Sequence, residues 1–102
     1  MTRMYIVYTL RQGTDIRKAL ELLQKTQDDL PEGAFQQLCL RNEKGMAEML
    51  QWMPFGDVVQ ILDFPHAWQA AEFDDSPAGK AQAQRTKGMF SNIAADSCQI
   101  TE

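Results

Sequence analysis

Residues 4–10 (MYIVYTL) and 58–62 (VVQIL) constrain the fold most, because each is a β-prone run with apolar side chains on both faces. In the first, Met4, Ile6, Tyr8 and Leu10 alternate with Tyr5, Val7 and Thr9. A strand with one wet face alternates apolar with polar residues instead. Both runs therefore predict strands covered twice, by helices on one side and by something else on the other. In a chain of 102 residues, enough for one hydrophobic core and one domain, the second cover is expected to be another subunit.

The remaining elements follow from period and capping. Ile16, Ala19, Leu20, Leu23 and Leu30 recur on one stripe, so residues 15–29 read as an amphipathic helix, with Thr14 as its N-cap and Asp15 in its first turn. Residues 34–41 (AFQQLCLR) read as a second strand, with Phe35 and Cys39 on one face and Leu38 and Leu40 on the other. Residues 46–53 (MAEMLQWM) fit a short helix or a hairpin strand. Asp63 and Pro65 are placed to open a helix whose packing face is Ala67, Trp68, Ala71 and Phe73. Ser76-Pro77 restarts a helix to about Lys87, with Gly88 after its end, and residues 97–101 (SCQIT) form a last short strand. The order is strand, helix, strand, excursion, strand, helix, strand. That is a split βαβ pattern, an α+β ferredoxin-like subunit with an antiparallel sheet and helices on one face.

Charge and residue counts remove several function classes. A formal net charge of −4 argues against a nucleic-acid partner, which needs a basic patch. His66 is the only histidine, and the two cysteines, Cys39 and Cys98, stand far apart, so no metal site is expected and both thiols read as reduced and buried. Glu72, Asp74 and Asp75 surround a helix break and read as solvated. Without a signal pattern or an apolar run of ~18 residues, a cytoplasmic protein with no membrane partner is expected.

The run VVQILDFPHAWQAAEFDDSPAGKA (58–81) resembles the strand–helix segment of antibiotic-biosynthesis-monooxygenase-type domains, and YTLRQGTDIRKALELL (8–23) looks like their first strand and helix. The matching pieces cover about half of the chain, and other dimeric α+β barrel families share much of the pattern. The resemblance implies a homodimer, a dimeric α+β barrel, with a cleft for a small apolar or aromatic ligand between sheet and helices. It implies oxidation of such a ligand without a cofactor. Haem-degrading relatives carry an Asn, a Trp and a His at positions that align with Ile6, Leu62 and Ala83, and none of these has the required side chain.

A cofactor-free oxygenase must bind an oxidisable aromatic and help to deprotonate it in a water-poor pocket. Tyr8 and His66 are the candidate catalytic side chains, and Asn42 reads as a turn residue. Met49, Trp52 and Phe55, in a stretch that also holds Met46 and Met53, are candidate ligand-binding residues, as is Trp68, although its period also fits core packing. The alternative is a non-catalytic ligand-binding or interaction module.

Overall fold

The computed structural model describes residues 1–40 and 56–100. Four strands form one sheet: β1 (Thr2–Leu10), β2 (Phe35–Leu40), β3 (Val58–Phe64) and β4 (Phe90–Gln99). Their spatial order is β2-β3-β1-β4, and every neighbouring pair is antiparallel. Between them lie α1 (Ile16–Gln24), which runs on into a 3-10 turn (Lys25–Asp29), then α2 (Ala67–Ala71), a 3-10 turn (Phe73–Asp75) and α3 (Pro77–Arg85). The expected βαββαβ order and the antiparallel sheet are both present. Residues 46–53 lie outside the described residues, and so do Asn42, Met49, Trp52 and Phe55.

Register explains why the two central strands need apolar residues on both sides. Pairing of Met4 with Leu62, Ile6 with Gln60 and Tyr8 with Val58 puts these side chains on the helical face. There they pack with Phe64 and with Leu23, Ala70, Phe73 and Ala78 from the helical layer. The intervening residues Tyr5, Val7, Val59 and Ile61, with Cys39 from β2, form a second cluster on the opposite face. Its members are at most 7% exposed.

Several local expectations are corrected. The N-cap of α1 is Asp15, whose carboxylate accepts from the Arg17 N–H at 2.9 Å, one position later than expected. Asp63 does not open α2, because β3 continues through it to Phe64 and its carboxylate takes both arms of Arg3, at 2.8 and 3.0 Å. Pro65 accordingly precedes the cap and is not in the first turn. The N-cap is His66, whose backbone N–H donates to Oε1 of Gln69 at 3.1 Å. Ser76 and Pro77 cap and start α3 as expected: the Ser76 hydroxyl accepts from the Gly79 N–H at 3.2 Å.

Trp68 is not on the packing face of α2. Ala70 and Phe73, three apart, face the core, and Trp68 sits two positions, about 200° of helical rotation, from Ala70. Its indole is 60% exposed, and Ala67 and Ala71 are exposed too. The last strand is longer than expected, starting at Phe90 after the positive-φ Gly88. Its Asn, Ala, Asp and Ser residues have weak β propensity, so pairing with β1 along nearly its whole length, not local preference, makes it a strand. Cys39 is buried as expected, whereas Cys98, opposite Arg3 on the edge strand, is exposed.

Candidate functional site

The helical layer stops short of β4. Ile93 and Ala95 share the helical face with Tyr8 and Ile6, yet Ile93 is 58% exposed. Between this uncovered edge and α3 lies a cleft of about 380 Å³. Its walls are Met4, Ile6 and Tyr8 from β1, Ile93 and Ala95 from β4, and Phe73, Asp74, Gly79, Gln82, Ala83 and Thr86 from the second helical half. The size suits a small ligand, and most of the wall is apolar.

A buried polar network forms its inner end. The Tyr8 hydroxyl donates to Oε1 of Gln60 at 2.6 Å and accepts from Nε2 of Gln82 at 2.6 Å. The two glutamine amides face each other, with Nε2 of Gln60 donating to Oε1 of Gln82 at 2.6 Å and the reverse contact at 3.2 Å. Nε2 of Gln60 also reaches Oε1 of Gln36 at 2.5 Å, and the Thr26 hydroxyl donates to Oε1 of Gln82 at 2.6 Å. Tyr8, Gln60, Gln82 and Thr26 are all buried. Low dielectric strengthens each bond of such a network and makes any orphaned member costly.

Burial pushes the Tyr8 phenol well above the ordinary tyrosine range; the Gln82 hydrogen bond opposes this, and the nearby negative charge of Asp74 adds to it. Tyr8 thus acts at neutral pH as a fixed hydrogen-bonding group and not as a proton acceptor. The raised value has a consequence for stability. Unfolded tyrosine ionises near ~10, so above that pH the unfolded chain releases a proton that the folded chain keeps, and stability falls by up to about 1.4 kcal/mol per pH unit. Below ~9 the effect vanishes. The urea midpoint measured from pH 8 to 11, at fixed protein concentration, is expected to fall more steeply for the native protein than for Tyr8→Phe; parallel profiles would show that the phenol does not titrate this way.

The candidate site residues among the described ones do not converge. Tyr8 lines the cleft, whereas His66 and Trp68 lie on the outer side of α2, their rings 6.3 Å apart and inclined by 9°. Trp68 lines a second concavity that shares no residue with the first. Of the positions aligned with the haem degraders, Ile6 and Ala83 line the cleft and Leu62 is fully buried. Sequence reasoning missed Gln60 and Gln82, and Asp74, read as solvated, is exposed. A signal existed for Gln60, the one polar residue in an otherwise apolar strand run, because a buried amide needs a partner. Gln82 carried none, since it looks like an ordinary helix-surface residue. Among the described residues no group of three or more His, Cys, Asp and Glu side chains is arranged to hold a metal. No helix among them is long and apolar enough to cross a membrane.

Solved structures share this arrangement across nearly the whole chain. A DABB family protein from Mesorhizobium loti superposes with a TM-score of 0.66 at 10% identity, over 99% of this chain and 97% of that one. A dimeric ferredoxin-like protein of unknown function from Thermobifida fusca gives 0.65 at 13% identity, covering 97% and 90% of the two chains. A dimeric protein of unknown function from Bacteroides fragilis gives 0.62 at 8% identity, covering 97% and 95%. The fold is ferredoxin-like. At these identities the likeness concerns the ferredoxin-like fold alone, which hosts many functions. No family model and no curated protein matches the sequence.

Proposed function

We propose that this protein is a homodimer that binds a small apolar or aromatic molecule in the cleft between the sheet and α3. One observation carries the reading: an apolar-walled cleft ends at Tyr8 and Gln82, whose polar atoms are held by hydrogen bonds before any ligand arrives. Preorganised polar groups in an apolar wall orient a ligand at little entropic cost. The Tyr8 hydroxyl has one lone pair left, so a ligand bearing a hydroxyl or N–H group suits it best. Dimerisation is supported by the Thermobifida and Bacteroides proteins, both dimeric.

A second reading, monooxygenase-like oxidation of an aromatic ligand without a cofactor, is supported by the sequence resemblance and by Asp74. With Tyr8 held protonated, Asp74 is the remaining titratable side chain among the described residues lining the cleft, and it would serve as the base. Oxygen uptake with an anthrone-like or quinol substrate, lost in Asp74→Asn, is the expected result for this reading. Calorimetry with the same compounds tests binding by itself. Tyr8→Phe is expected to weaken the affinity for a hydroxylated ligand about fivefold to tenfold, as for the loss of one neutral hydrogen bond. Equal affinity in the two proteins would remove Tyr8 from the site, and light scattering that finds only monomer at micromolar concentration would remove the dimer.

A further inference from the structure

We propose that a second site, on the outer side of α2, binds a small organic cation of the alkylammonium or quaternary ammonium class. It is a groove of about 710 Å³ bounded by α2, the turn after it and the end of the Lys25–Asp29 turn, and it is independent of the cleft proposed above. Helical spacing builds it. Trp68, Glu72 and Asp75 stand at i, i+4 and i+7, and the bonds Glu72 N–H to Trp68 C=O and Asp75 N–H to Glu72 C=O, both 3.0 Å, keep them in helical phase. All three line the groove over an apolar floor that includes Phe64, Pro31 and Pro77.

Charge and ring chemistry select the occupant. The third acidic wall residue, Asp29, is already neutralised by Arg85 at 2.5 Å. Glu72 and Asp75 are exposed, and neither is in an ion pair among the described residues. No Lys, Arg or His is among the described residues that line the groove. A large exposed indole that lines the same groove as two carboxylates, with the parallel His66 ring 6.3 Å from it, attracts a cation through its open ring surface and repels anions. The same carboxylates do not converge on a metal site, since no cluster of three or more ligating side chains exists among the described residues. A cation with an apolar envelope satisfies ring, floor and charge together, which a bare hydrated ion does not.

The probe is choline, with 3,3-dimethylbutan-1-ol as its neutral isostere, titrated into the full-length protein by calorimetry and by the N-methyl proton resonance. We expect saturable choline binding near ~1 mM, an upfield shift of the methyl signal from the indole ring current, and weakening with added salt. The neutral isostere should bind about tenfold more weakly, as should choline to Trp68→Ala and to the Glu72→Gln/Asp75→Asn double variant. These side chains are exposed, so the thermal midpoint of each variant should stay close to that of the native protein. Equal binding of choline and its isostere, binding unchanged in either variant, or no shift of the methyl signal would each overturn the proposal.

Discussion

Gln60→Leu is expected to destabilise the protein by about 2–3 kcal/mol, even though leucine restores the apolar pattern of its strand. Gln60 is 0% exposed at the centre of β3, and its amide joins Tyr8, Gln36 and Gln82. Leucine fills similar space and adds apolar area, but it leaves the buried Tyr8 O–H without its acceptor. The penalty for an orphaned buried donor, added to the missing amide hydrogen bonds to Gln36 and Gln82, exceeds the transfer gain. In thermal unfolding at fixed protein concentration this corresponds to a fall of roughly 10–15 °C. The double variant Gln60→Leu/Tyr8→Phe should be more stable than the sum of the single effects, because removing both partners leaves no hydroxyl to satisfy. An unchanged midpoint in Gln60→Leu would mean that the network contributes nothing to stability.

Gly79→Ala is expected to cost more than about 3 kcal/mol, against a gain of about 1 kcal/mol for the same change in an open helix interior. A Cβ at Gly79 would overlap the Phe73 carbonyl oxygen and lie 2.8 Å from its carbonyl carbon. Backbone, unlike a flexible side-chain end, cannot swing aside. The 3-10 turn crosses the first turn of α3 so closely that only glycine fits, and that crossing sets where Phe73 and Asp74 stand on the cleft wall. Gly79→Ala should therefore lower the thermal midpoint by roughly 15 °C or more and impair cleft binding together. A stabilised variant would show that the turn can shift away and that the crossing is not tight in solution.

Much of the architecture was legible in the sequence because hydrophobic period depends on local spacing. The doubly apolar runs around Ile6 and Val59 announced central strands, the Ile16–Leu23 stripe a core-facing helix, and Ser76-Pro77 a helix start. Where two local solutions competed, register decided. Asp63 is as good a cap in sequence as His66, but extension of β3 beside β1 brought it to Arg3 instead. Trp68 fits an apolar stripe as well as Ala70 does, yet only the docking angle of a five-residue helix determines which of them is buried.

The sequence by itself determined the order of elements, the presence of helices on one sheet face and the apolar character of both sheet faces, since each follows from residues a few positions apart. Tertiary structure decided the site. Tyr8, Gln60 and Gln82 come from β1, β3 and α3, and their hydrogen bonds span separations of 52, 22 and 74 positions. No periodicity reports such a meeting, because it depends on strand register and on how far the helical layer extends across the sheet. The same uncovered edge beside β4 that opens the cleft makes Ile93, an apolar residue that local reasoning would bury, part of its wall.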